Sequence, residues 1–230
     1  MKASLNYQAL KNGQPVSDAL VVEVPVQLFI EDEPLTVSMC TPTHIREWAF
    51  GILFTEGIIR SADQVLSYSE EEVDHQITIR VSLSNAANAV TNKRSLLSVS
   101  ACGICGKTAF EPATRSDDER SSMTLRENIA QMMVQLRASQ TLFEETGGCH
   151  AAGVFNREGK LIFASEDIGR HNAVDKVIGH LLLNNQLRSA KYIVVSGRVS
   201  YEIVAKCFAA GIPNLAAVSS PSSLAVDYAK

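Results

Sequence analysis

The chain has 230 residues, 46% apolar and 20% charged, with a net charge of −4. That length allows one large domain or two small ones with a sizeable core, and the acidic balance argues against a general binder of nucleic acid or anionic membrane. No apolar run reaches the length of a membrane span and no signal-peptide stretch opens the chain, so the expected location is the cytoplasm, where five irregularly spaced cysteines are not a disulfide framework.

Val21 to Ile30 and Leu35 to Cys40 flank the turn-like Glu31-Asp32-Glu33-Pro34 and read as a β-hairpin. A helix is expected from Thr43 to Glu56, because Ile45, Trp48, Ala49, Ile52 and Leu53 form a core-facing stripe and Gly57 suits its C-terminal cap. Val73, Ile77, Ile79, Val81 and Leu83 alternate with polar residues and predict a half-buried strand with His75 on the same face. Residues 85–122 show little period beyond Leu96-Leu97 and predict a long, mobile, functional loop. Thr124 and Glu127 have capping-box spacing ahead of a helix carrying Ile129, Met132, Met133 and Leu136.

The second half alternates apolar strands with helices. A hairpin is expected over Ala151–Phe155 and Leu161–Ala164, then a helix from about Asn172 and a strand at Tyr192–Val195. A helix at Ser200–Ala210, a strand at Leu215–Val218 and a helix opening at Ser222 follow. The expectation is an α/β protein, with an N-terminal α+β subdomain over 1–122 and a layered α/β core over 123–230. The last helix has no Gly, Pro or polar terminator before Lys230, so a further C-terminal piece is expected.

Cys102-Gly103-Ile104-Cys105 lies in a stretch of small residues beside Lys107. A Cys-x-x-Cys pair and a nearby cation both favour thiolate. Three chemistries remain open: half of a zinc site, a dithiol redox centre, or a sulfur-carrying nucleophile. Thr146-Gly147-Gly148-Cys149-His150-Ala151-Ala152 allows a close backbone approach to a ligand at Gly148 and His150, or is a plain helix-to-strand turn. A hydrolytic zinc deaminase is disfavoured, because Ala152 stands where the glutamate of His-x-Glu belongs.

Seven of the eleven residues from Glu166 to Lys176 are charged or polar. Gly169, Arg170, His171 and Asn172 open a helix, where backbone N–H groups favour anions, and Asp167 or Asp175 could accept from a base or ribose. Two similar junctions follow, Ser196-Gly197-Arg198 and Ser219-Ser220-Pro221-Ser222. In open α/β sheets ligands lie beyond strand C-termini, so a phosphate-bearing ligand is expected there, held by neither a Walker nor a Rossmann loop. His150 or His171 could move protons near neutral pH. Cys40 and Cys207 read as structural.

These motifs resemble the FdhD/NarQ family of accessory sulfurtransferases for formate dehydrogenase. The resemblance runs from about Val24 onward. It rests on Glu56-Gly57-Ile58-Ile59, Cys102 to Cys105, Thr146 to Ala152, Glu166 to Lys176, Ser196 to Ser200 and Ala210-Gly211-Ile212-Pro213. It implies sulfur accepted from a cysteine desulfurase as a persulfide on Cys102 or Cys105. That sulfur would pass to the bis-molybdopterin guanine dinucleotide cofactor of formate dehydrogenase. It implies a cytidine-deaminase-like core without catalytic zinc, a homodimer, and a further C-terminal segment that helps bind the cofactor. Gly148, His150, Gly169, Arg170, His171, Asn172, Asp175, Ser196, Gly197, Arg198, Ser219 and Ser222 are the expected cofactor-binding residues. Cys149 departs from the family, which usually has valine or another residue there.

Overall fold

The computed structural model describes residues 1–84 and 125–230. Cys102, Cys105, Lys107, the loop expected over 85–122, the Thr124 cap and the boundary at 122/123 lie outside the described residues.

Strands β1 (Ser4–Lys11) and β2 (Gln14–Val21) form a separate antiparallel ribbon that the sequence reading did not anticipate. Their alternation is masked because both faces of the ribbon are largely exposed. Strands β3 (Val24–Ile30) and β4 (Glu33–Cys40) form the expected hairpin, and helix α1 (Ile45–Thr55) follows. Next come β5 (Val65–Val73) and β6 (Gln76–Leu83), giving a four-stranded sheet of order β4-β3-β6-β5. The expected single strand from Val73 is therefore a hairpin. Asp74 and His75 turn it at φ 49 and 64, a two-residue turn with positive φ at both positions, so His75 is not on the strand face. Trp48, Leu28, Leu53 and Ile79 fill the core between α1 and this sheet.

Helix α2 (Leu125–Ser139) buries Met132 and Leu136 as the stripe predicted, and a short helix α3 (Thr141–Thr146) follows. Strands β7 (His150–Phe155) and β8 (Leu161–Asp167) make the second hairpin. Helix α4 (Arg170–Leu183), β9 (Tyr192–Val195), α5 (Tyr201–Ala209), β10 (Asn214–Ala217) and α6 (Ser223–Ala229) complete the chain. The second sheet has the order β10-β9-β7-β8. The protein is thus mixed α/β, with one four-stranded sheet in each half and the β1-β2 ribbon beside the first.

Helices α1 and α4 join the two halves at a backbone-to-backbone crossing. A Cβ on Gly51 would stand 1.9 Å from the Asp175 carbonyl oxygen, and one on Gly179 would stand 1.8 Å from that of Glu47. Only glycine allows this approach. Polar side chains fasten the same seam. Asn172 Nδ2 donates to the Met39 carbonyl and Asp167 Oδ1, while Asn172 Oδ1 accepts from Ser38 and Trp48.

Candidate functional site: the strand-to-helix edge of the second sheet

Strand pairing fixes where this site must be. His150 pairs with Asp167, while Val195 pairs with both Ala152 and Ala217. The start of β7 and the ends of β8, β9 and β10 therefore share one edge. The chain leaves β8, β9 and β10 at that edge and enters α4, α5 and α6. The three junctions expected to hold an anion converge, as strand polarity requires.

Gly197 is the point of closest contact. A Cβ there would meet His150 Nδ1 at 3.2 Å and Arg170 Cβ at 3.5 Å, so the absent side chain leaves room for the histidine and arginine together. Ser196 Oγ accepts from the Ala151 amide at 2.8 Å and ties the β9 junction to β7. Burial holds the His150 imidazole below its ordinary pKa, and Arg170, Arg198 and His171 push it the same way against the pull of Asp167. Positive charge is therefore concentrated here in a chain that is acidic overall. Arg170 Nε is buried and unpaired among the described residues, whereas Arg198 is exposed.

Beside these residues opens a cleft of about 920 Å³. Gly148, Cys149, His150 and Ser196 line one side, and Met133, Leu136 and Phe143 give the other an apolar wall. Gly147, at φ 64, ends α3 in the left-handed conformation, and both glycines line the cleft. Glu166 was read as part of a ligand motif. Its carboxylate instead accepts from the Leu142 and Phe143 amides at 2.8 and 2.7 Å and caps α3, and Cys149 Sγ donates to it at 3.3 Å.

Most of the polar block from Glu166 to Lys176 is framework. Asp167 and Lys176 are both fully buried and meet at 2.6 Å. Asp167 also accepts from the Thr41 and Gly169 amides and from Asn172, and Lys176 donates to the Thr41 carbonyl. Asp175 is 2% exposed and bonded to Lys206 and Thr55. Asp167, Asn172 and Asp175, expected at the ligand, are therefore buried and hydrogen-bonded within the protein. Gly169 belongs to the same framework, since a Cβ on it would meet Asn172 Nδ2 at 2.7 Å. Ser222 Oγ accepts from the Ala225 amide as the cap of α6. Ser219 lines a different groove, along β10 and α6.

Sequence reasoning missed Glu202. It occupies the first turn of α5, where an acidic residue needs no explanation beyond the helix dipole. Its Oε2 lies 2.9 Å from His171 Nε2, which is also 3.0 Å from Ser200 Oγ. The available signal was its place two residues after Ser200, at the end of Ser-Gly-Arg-Val-Ser.

The three described cysteines are poor nucleophiles. Burial pushes Cys149 and Cys207 each up to about 12, and for Cys149 the Glu166 charge adds to the effect. Burial also raises Cys40 well above the ordinary thiol range. Native-state alkylation at neutral pH, read by peptide mass spectrometry, should leave all three unmodified, and rapid labelling of any one would contradict this placement. No group of three or more potential metal ligands occurs among the described residues.

Acid should weaken the fold through its histidines. Burial holds His44, His150 and His180 below the ordinary imidazole value, so the unfolded chain takes up protons more readily than the folded one. Stability present at neutral pH should fall as pH drops through about 6.5. Urea midpoints across that range check the sign.

The sequence model described as the FdhD/NarQ family matches residues 21–230. A protein from Nocardia farcinica named sulfur carrier protein FdhD is 41% identical over 224 residues, covering 93% of this chain and 80% of that protein. One of the same name from Saccharolobus solfataricus is 38% identical over 218 residues, covering 93% and 82%. A solved structure from Desulfotalea psychrophila, described as a formate dehydrogenase accessory protein, shares the fold. It aligns with a TM-score of 0.71 at 24% identity, covering 99% of this chain and 89% of that one. The chain therefore belongs to the FdhD/NarQ family.

Proposed function

We propose that this protein carries sulfur for formate dehydrogenase, taking it from a cysteine desulfurase and delivering it to a bis-molybdopterin guanine dinucleotide held as cargo. The convergence of His150, Arg170 and Gly197 at the open edge carries the docking half of this reading, because the buried Nε of the half-buried Arg170 keeps an unused donor there. Arginine with backbone amides at helix starts suits a phosphate-bearing ligand. The curated relatives are named for the sulfur half.

The thiols support the division of labour. Cys40, Cys149 and Cys207 are buried with raised pKa values, so carriage falls to Cys102 and Cys105, whose spacing favours a thiolate. In the loading step the Cys102 thiolate attacks the outer sulfur of the desulfurase persulfide. A new S–S bond forms on Cys102, the old one breaks, and the desulfurase cysteine leaves as thiolate. Cys105 serves as relay or resolving thiol. The cytidine-deaminase-like layering of the second half belongs to the same reading.

A genetic test separates this from a purely non-covalent cofactor chaperone. In cells lacking the protein, Cys102→Ala/Cys105→Ala should leave formate dehydrogenase inactive although the variant accumulates normally. Full activity with the double variant would favour the chaperone.

A further inference from the structure

Asn12-Gly13 is the only Asn-Gly pair in the sequence, and it forms the tip of the β1-β2 ribbon. The ladder closes at Lys11 and Gln14, so these two residues make the whole loop and the Gly13 amide lies outside the ladder. Both adopt positive φ, 53 and 78, as tight two-residue hairpin turns require. Every residue from Lys11 to Pro15 is exposed, and a Cβ on Gly13 would meet nothing within 4 Å. Elsewhere asparagine side chains are engaged: Asn156 accepts from the Glu158 and Lys160 amides, while Asn172, Asn184 and Asn214 donate. No such bond holds the Asn12 side chain among the described residues. The ribbon is two-stranded and largely exposed on both faces, an arrangement of marginal stability in water whose tip opens readily.

A side-chain amide beside a glycine nitrogen has a definite reactivity. Once deprotonated by hydroxide, the Gly13 nitrogen attacks Asn12 Cγ. The new N–Cγ bond closes a succinimide ring, the Cγ–Nδ2 bond breaks, and ammonia leaves with a proton from water. Water then opens the ring at either carbonyl. Opening at Cγ gives aspartate. Opening at the main-chain carbonyl gives isoaspartate, in which the chain runs through Cγ and gains an atom. Glycine favours the closure because no side chain obstructs it. We propose that Asn12 is a modification site, converted by the Gly13 amide to aspartate and isoaspartate, and that the isoaspartyl form is a substrate for an enzyme that methylates isoaspartyl carboxyl groups. The longer chain does not fit a two-residue turn, so the modified ribbon unzips from its tip. Its base stays held, with Ser4 Oγ donating to Glu145 at 2.8 Å and Val21 packed against Gly148.

Incubation of the full chain at mildly acidic and mildly alkaline pH, followed by peptide mass spectrometry, tests the assignment without a variant. The peptide bearing Asn12 should show the mass shift of an amide becoming a carboxylic acid. The shift should grow faster at alkaline pH, because the attacking nitrogen must lose its proton. Peptides of Asn156, Asn172, Asn184 and Asn214 should stay unchanged. A purified isoaspartyl methyltransferase with labelled S-adenosylmethionine should label the aged wild type. Asn12→Gln, which would have to close a larger ring, should lose that label. Asn12 staying intact at alkaline pH while the urea-unfolded chain converts would overturn the proposal, since the folded turn would then protect it. Conversion of the other asparagines as fast as Asn12 would overturn it too. Isoaspartate at Asn12 that the methyltransferase leaves unlabelled would overturn the enzyme-substrate half.

Discussion

Replacing Lys176 by Met should destabilise the protein by about 3–5 kcal/mol, the usual cost of stranding one member of a buried ion pair. The partner left behind is Asp167, itself fully buried. The cost should depend on pH with a definite sign. Without the ammonium, the carboxylate is left as an uncompensated buried charge, which protonation removes. The stability deficit of Lys176→Met should therefore shrink as pH falls, which is opposite to the histidine effect. Adding Asp167→Leu should recover part of the loss. It should not recover all, because the Thr41 and Gly169 amides lose their acceptor. Urea unfolding of the three variants at two pH values measures each quantity. A deficit below about 1 kcal/mol, as for an exposed pair, would contradict the placement of this pair at the seam.

Gly51→Ala and Gly179→Ala should each destabilise by about 3 kcal/mol or more, at the upper end for overpacking. Helix propensity predicts the reverse, a gain of about 1 kcal/mol for alanine over glycine. The clash decides the sign, because the atoms met at 1.9 and 1.8 Å are backbone carbonyl oxygens of the facing helix and cannot rotate away. For a protein of this size the melting temperature should fall by roughly 10 °C. Gly153 provides the contrast. A Cβ there would meet the side-chain ends of Leu136, Phe155 and Leu161 at 3.0 to 3.3 Å, and these can shift. Gly153→Ala should cost distinctly less. If Gly51→Ala melted like the wild type, the two helices could not be in backbone contact.

These two variants show why the sequence was legible only in part. Apolar patterning located α1, α2, β3, β4, β7, β9 and helices α4 to α6, because each buries apolar side chains in a core; it missed the short α3. It missed β1 and β2, which are largely exposed, and it merged β5 with β6, since the turn at Asp74 and His75 uses two non-glycine residues at positive φ. The candidate site divided along a physical line that sequence does not show. A run such as Glu166 to Lys176 announces hydrogen-bonding capacity but not its direction. Arg170 and His171 face the open edge, whereas Asp167, Asn172, Asp175 and Lys176 turn inward to join α1 and the first sheet. Burial sorted them, and burial depends on contacts more than a hundred residues apart, such as Thr41 with Asp167. Glu202 was invisible for the converse reason. Its contact with His171 joins the starts of α4 and α5, which only three-dimensional packing brings together.

The most direct test of sulfur carriage is localisation of the transferred atom. After incubation with a cysteine desulfurase and cysteine, peptide mass spectrometry without reductant should find one added sulfur on the peptide bearing Cys102 and Cys105. The peptides of Cys40, Cys149 and Cys207 should remain unmodified. Sulfur found on Cys149, or no adduct on any peptide while the desulfurase itself is loaded, would contradict the account.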